Sequence, residues 1–455
     1  MIDLLRLGRS LLLVTLLLSS AIAAGDTLAQ ARSTFVDDGA FGRGGLVTGE
    51  VGPIESSATL SPKALAVDAQ GRVIVGAATW TEWKVWRVLR NGELDASFGD
   101  GGEVTVSYWG GSHGVDLANL ASGVIRPDGR ILLVGYKGST LVGNGRKGIA
   151  KLIMKQLMPD GSPDQSFGQD GGISFGTPRG ATGVALRPDG RFVVAAFKQI
   201  SQTGRTDDAA LYSFSTDGTL ERGFGGENVD SVNVLGAPGK PSGFFDVDVL
   251  ANGRILLSGV FQNALLVMKL RKDGSRDRSF GNGGRVVVRP GVGTRWLVAR
   301  NMERDRKGRI VVAGYGEPVD SGSGAGFGLI ARFWKNGRLD HSFGSKGVVR
   351  LYATGKRRAR FTRLYGVTID SKGGIWAVGS AGQASREKRH AIGVRFLSNG
   401  RRDPRFFNYG VLNIGLGKAS VGTSIFGAGR KTYLSGRYDR GDQERFFVRR
   451  LRHSS

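Results

Sequence analysis

The chain contains no cysteine. Disulfides, thiolate metal sites, cysteine nucleophiles and a lipid-modified cysteine behind a leader are thereby excluded, so the fold must be held by its apolar core. Histidine is scarce too: His113, His341, His390 and His453 are the complete set, and no two stand at a metal-ligand spacing. A calcium loop is also missing, because Asp246-Val-Asp248 alternates without the turn glycine such a loop needs. No metal and no cofactor is expected. The apolar run from Leu11 to Leu18 is short of the about 20 residues of a membrane span, and no second run follows. It stands behind Arg6 and Arg9 and ahead of Ala21-Ile22-Ala23, the pattern of a signal peptide over residues 1–23 cut before Ala24, with Ala29-Gln30-Ala31 as a second cleavage candidate. The mature chain is expected to be secreted, periplasmic or extracellular, without a membrane span.

Proline is sparse, 12 residues against 74 glycines in 455, which points to tight turns between short elements and an all-β chain. Seven times an apolar strand, a turn ending in glycine and a second apolar strand follow one another. The clearest copy is Gly183-Val-Ala-Leu-Arg-Pro-Asp189-Gly190-Arg-Phe-Val-Val-Ala195. The turn glycines are Gly71, Gly129, Gly190, Gly253, Gly308, Gly373 and Gly429, at separations of 55 to 65 residues. Asp-Gly and Asn-Gly between apolar runs suggest type I′ hairpin turns. A second Asp-Gly or Asn-Gly turn follows in six units, at Gly92, Gly161, Gly218, Gly274, Gly337 and Gly400. Just after it comes Leu-Asp-x-Ser-Phe-Gly or a variant, whose aromatic is Phe98, Phe167, Phe224, Phe280, Phe343 or Phe406.

The two ends are complementary half-units. Ala40-Phe41-Gly42-Arg43-Gly44-Gly45-Leu46-Val47 is an orphan Phe-Gly segment with no hairpin before it, and the chain after Gly429 stops before any such segment. If the N-terminal piece supplies the missing strand of the last unit, a seven-bladed β-propeller closes over residues 35–453, behind a linker at 24–34. Closure also removes exposed sheet edges. An open solenoid would share the period but leave the half-units unexplained.

Arg-Pro-Asp-Gly-Arg-Phe-Val-Val-Ala (187–195), Asp217-Gly218 and Leu-Asp-x-Ser-Phe-Gly-x-x-Gly (94–102) together resemble the bacterial delta-60 repeat family, over nearly all of residues 35–451. The resemblance implies an exported propeller-like array and carries no chemistry. The third unit (Leu220-Glu221-Arg222-Gly223-Phe224) and the sixth (Arg405-Phe406-Phe407) depart from the pattern.

Gly143-x-Gly145-x-x-Gly148 superficially matches a dinucleotide fingerprint, but the repeat places it in a loop before a strand, without the helix the fingerprint needs. Gly322 to Gly328 occupies the equivalent loop elsewhere. The acidic residue before each Phe (Asp95, Asp164, Glu221, Asp277, Asp340, Asp403) recurs too regularly to be catalytic; it should fix a turn by accepting backbone N–H bonds. Trp86 falls within a strand, whereas Trp80 and Trp83 fall in the loop before it, where exposed indoles could stack on sugar rings. From Lys346 onward the chain carries 24 Lys and Arg against 6 Asp and Glu, a net +18 of the total +25. Arg357, Arg358, Arg360, Arg386 and Arg389 form the expected contact for an anionic ligand.

No catalytic constellation emerges. The expectation is a monomeric, non-enzymatic binding or scaffolding module at the cell envelope or outside the cell, contacting a protein or an anionic polymer or glycan. Secretion sets nucleic acid aside as a partner. The rival is a propeller enzyme, a lyase, hydrolase or quinone-dependent dehydrogenase, with its site at the pore mouth.

Overall fold

A computed structural model describes residues 35–53, 63–79, 82–107, 116–139, 151–199, 207–226, 231–234, 242–319, 326–352, 361–383 and 388–453. Residues 1–34, where the signal peptide and linker are expected, Trp80, His113, Gly143 to Gly148, Arg357, Arg358, Arg360 and Arg386 lie outside them. All elements named among the described residues are β-strands.

The strands form seven antiparallel blades. Blade 4 is typical, running Ser242–Val249, Ile255–Phe261, Ala264–Leu270 and Arg285–Val288 from first to fourth strand. Strand Gly172–Leu186 serves two blades: its first half pairs as the fourth strand of blade 2 and its second half as the first strand of blade 3. First strands of successive blades touch one another in a closed cycle, with Ser420–Ala428 of blade 7 against Lys63–Val67 of blade 1. The ring is therefore closed around a channel that the first strands line.

Second strands such as Ile131–Ser139 and Ile310–Pro318 open with unbroken apolar runs, Ile131 to Val134 and Ile310 to Ala313, because each is covered by a neighbouring blade on both faces; Ile310 to Tyr315 are buried throughout. The Phe of every unit enters an inter-blade core, and none of Phe41, Phe98, Phe167, Phe224, Phe280, Phe343 and Phe406 is more than 5 % exposed. The irregular units 3 and 6 keep this position.

The hairpin turns differ from the type I′ expectation. Gly129 has φ 88°, but Asp128 before it has no positive φ. Gly129 N donates to Arg126 O at 2.9 Å and Arg126 N to Arg130 O at 2.7 Å, which makes a three-residue loop: a type I turn followed by a left-handed glycine. In blades 2 and 3 Pro127 and Pro188 enforce it, since their fixed negative φ suits the first central position of a type I turn and is barred from type I′; blades 1, 4, 5 and 6 make the same bonds without proline. A type I′ loop does occur at Gln262 (φ 50°) and Asn263 (φ 67°), which joins the second and third strands of blade 4.

Every first strand carries a bulge at the same register, the extruded residues being Leu65, Ala121, Thr182, Phe245, Arg300, Tyr365 and Thr423. In blade 5 the bulge presses the Val298 carbonyl onto Gly314, where a Cβ would collide with it.

Blade 7 is assembled from both ends of the chain. Phe35–Asp37 and Leu46–Pro53 pair side by side with Gln443–His453, the first at Leu451 to His453 and the second at Gln443 to Arg449. The cut in the ring thus falls at the turn that joins third and fourth strands in the other blades.

Candidate functional site

The recurring acid belongs to the scaffold. Asp340 Oδ1 accepts the Ser342 backbone N–H at 3.1 Å and its hydroxyl at 2.6 Å, as expected. Its other oxygen takes a partner the sequence reading missed, the buried Arg332, with Nε at 2.8 Å. That guanidinium stacks 4.5 Å over Phe343 and donates to Ser398 O in the next blade. Arg87, Asp95 and Phe98 repeat the arrangement and reach Pro159 O. Burial pushes the Asp95 and Asp340 carboxyls up, but bonds from Ser97 and Arg87, and from Ser342 and Arg332, outweigh it and hold both below the usual range. In blade 2 Gln156 replaces the arginine, and Arg126 compensates by donating to Gln156 Oε1 at 2.6 Å and to Thr216 O at 2.9 Å.

Trp83 corrects the sugar-stacking expectation. It lies inside strand Glu82–Val88, is fully buried, and packs against Phe98 and Leu133 between blades 1 and 2. The strand starts earlier than the apolar pattern suggests, so the ring has no face for a sugar. Trp86 packs as expected, 4.9 Å from Phe446, with its indole N–H on Glu103. Arg389, the one described member of the basic cluster, stacks 4.0 Å over Phe361 beside the connection between second and third strands.

A larger basic feature lies on the opposite face, where the first hairpin turns emerge. A groove of about 990 Å³ runs across blades 5 to 7 and is lined by Arg304, Arg306, Lys307, Lys372, Arg430 and Lys431. Blades 1 to 4 carry Ala69-Gln70, Pro127-Asp128, Pro188-Asp189 and Ala251-Asn252 at their turn tips, whereas blades 5 to 7 carry Arg306-Lys307, Ser371-Lys372 and Gly429-Arg430. Arg306, Lys307, Lys372 and Arg430 are exposed and have no carboxylate partner among the described residues. The acids of the groove are occupied: Asp305 pairs with Arg309 at 2.6 Å and Asp370 with Arg395 at 2.8 Å. His453 also lines it, and its pKa is lowered by burial first and then by Lys372, Arg395 and Arg430, against the opposing pull of Asp370.

The channel holds a second polar group. Asp246 Oδ2 accepts the backbone N–H of Met302 at 2.8 Å and the Asn301 amide at 2.9 Å, and Asn301 Oδ1 accepts Val367 N–H at 2.8 Å. Both side chains follow their blade's bulge and tie it to the next blade. Although part of its surface is accessible, Asp246 is enclosed by the surrounding blades, and this burial, with Asp248 and Glu303 adding to it, pushes its carboxyl up to about 7. No group of three or more His, Asp or Glu suited to a metal occurs among the described residues.

The profile of a family described as "Domain of unknown function (DUF5122) beta-propeller" matches residues 70–98, 126–167, 250–280 and 308–343, which supports a propeller repeat family. No curated protein matches the chain. Similar solved structures include polysaccharide lyase Uly1 (10 % identity, TM-score 0.49, 86 % of this chain and 90 % of that one). A catalytically inactive virginiamycin B lyase from Staphylococcus aureus with quinupristin is another (10 %, 0.47, 89 % and 99 %). The β-propeller domain of Nup133 from Vanderwaltozyma polyspora is a third (9 %, 0.41, 89 % and 97 %).

Proposed function

We propose that this is an exported, monomeric, non-enzymatic propeller of the delta-60 repeat type that binds an anionic polymer or acidic glycan at the cell envelope or outside the cell. The observation that carries this reading is the groove on blades 5 to 7. Arg306, Lys307 and Lys372 stand just before the turn glycine, where blades 1 to 4 hold neutral or acidic residues, Arg430 sits in the shorter two-residue turn of blade 7, and none of the four has a carboxylate partner among the described residues. A fold requirement would act alike on all seven turn tips, so a charge confined to three adjacent ones speaks for a ligand. Such a surface steers polyanions toward itself and weakens with salt, since the Debye length is about 8 Å at physiological ionic strength. Arg389 would add to the field from the other face.

The test is a pull-down of the mature protein against envelope fractions at low and high salt, beside the quadruple variant Arg306→Ala, Lys307→Ala, Lys372→Ala, Arg430→Ala. Retention at low salt that the variant loses is expected. Equal retention by the variant would remove the groove from the reading.

Asp246 is the observation that favours the rival, a propeller enzyme at the pore mouth, because a carboxyl titrating near neutrality is fitted to proton transfer. Its two bonds to blade 5 give it a scaffold role, and Asn301 performs the same role without a titrating proton.

A further inference from the structure

Arg300 is the residue extruded by the bulge of blade 5. Its guanidinium carbon lies 4.4 Å from the ring centroid of Phe245 and 6.0 Å from that of Tyr365, the residues extruded at the same register in blades 4 and 6. At the same register blades 1, 2, 3 and 7 carry Leu65, Ala121, Thr182 and Thr423, none of them acidic. Arg300 has no hydrogen-bond acceptor and no carboxylate partner among the described residues. The neighbouring guanidinium in this aromatic patch, Arg363, is engaged: it pairs with Glu317 and stacks 4.5 Å over Tyr315. Beside Tyr315 the indole N–H of Trp296 is buried without an acceptor. Burial pushes the Tyr136 and Tyr315 hydroxyls up, while the charge of Arg300 opposes it at both.

Aromatic rings beside a guanidinium cover its faces and leave its edge, a planar fork of N–H donors, for an acceptor. That fork matches the two oxygens of a carboxylate. One available positive charge suits a monoanion better than a doubly charged phosphate. Flanking aromatic faces suit a carboxylate carried on a sugar ring. We infer that Arg300 forms a channel site for an acidic sugar, gripping its carboxylate by the guanidinium edge between Phe245 and Tyr365. The site is separate from the turn-face groove, and either can fail without the other.

Saturation-transfer NMR with glucuronate and with glucose as probes tests this on the mature chain, its Arg300→Gln and Arg300→Lys variants, and a control, Lys335→Ala with Arg338→Ala, at two exposed cations outside both sites. Glucuronate should give a signal with the parent and the control, glucose should not, and both Arg300 variants should bind roughly tenfold or more weakly, as loss of a charge-assisted bond implies. The lysine variant keeps the charge, so it reports on the fork even if the neutral one is unstable. Silence of glucuronate with the parent, an equal response to glucose, or parent-like binding by either Arg300 variant would overturn the assignment.

Discussion

Arg450 Nε lies 2.8 Å from Asp38 Oδ2, and the two residues come from opposite ends of the ring. Arg450 also stacks 4.4 Å over Phe41 and donates to Arg90 O in blade 1 at 2.6 Å. This is the connector of Arg332, Asp340 and Phe343, reproduced across the chain break. Removing one partner of a buried ion pair costs about 3–5 kcal/mol, because the other charge is left uncompensated. Asp38→Ala should lose that much in denaturant unfolding and should also expose the N-terminal strands to proteolysis. Asp340→Ala, in a covalently continuous blade, should lose stability without that clipping. An Asp38→Ala protein as stable and protease-resistant as the parent would mean that closure does not depend on this pair.

Phe280 is 1 % exposed between blades 4 and 5, with Lys269 5.8 Å from its ring. Truncation to alanine should cost about 3–5 kcal/mol, the usual range for a buried aromatic. Gly337 of the next blade presses on the same ring, and the Gly281 N–H donates to Asn336 O at 2.8 Å. The cavity would therefore open at a blade boundary, and an unchanged melting temperature would take Phe280 out of the core.

The parts of this architecture that the sequence disclosed are those that repeat as residue types. Phe, the turn glycines and the acid before each Phe occupy one environment seven times or nearly so, and identical environments select identical side chains. The bulge register stayed hidden because its extruded residues, among them Ala121, Phe245, Arg300 and Tyr365, face a channel that makes no common demand. The buried arginine partner was obscured by exchange, since Gln156 and Ser213 replace it while Arg126 and Arg187 supply the charge from the first hairpin turn. The groove was missed for a different reason: its cations lie about 60 residues apart and meet only when blades are aligned turn by turn.

Asp246 makes a pH prediction whose sign is fixed by the raised pKa. Between the ordinary carboxyl range and about 7 the unfolded chain is ionised while the folded Asp246 keeps its proton, so stability falls as pH rises through that window and levels off above it. Asp246→Asn should remove this slope and gain stability over the parent above pH 7, because an amide oxygen can accept the same Met302 and Asn301 donors. Unfolding at several pH values checks it. A variant that follows the parent at every pH would show that Asp246 is ionised in the fold.

His453 makes the corresponding prediction for binding. In the free protein burial, then Lys372, Arg395 and Arg430, disfavour its charged form, with Asp370 alone opposing them. A polyanion in the groove would offset that repulsion and raise the pKa, so binding takes up a proton. Affinity for a probe such as polygalacturonate should therefore climb as pH falls through the ordinary histidine range near 6.5. His453→Gln should flatten this climb while leaving the salt dependence in place, because the latter belongs to Arg306, Lys307, Lys372 and Arg430. Loss of the salt dependence together with the pH dependence would assign the whole effect to His453 and leave the turn-tip cations without a role.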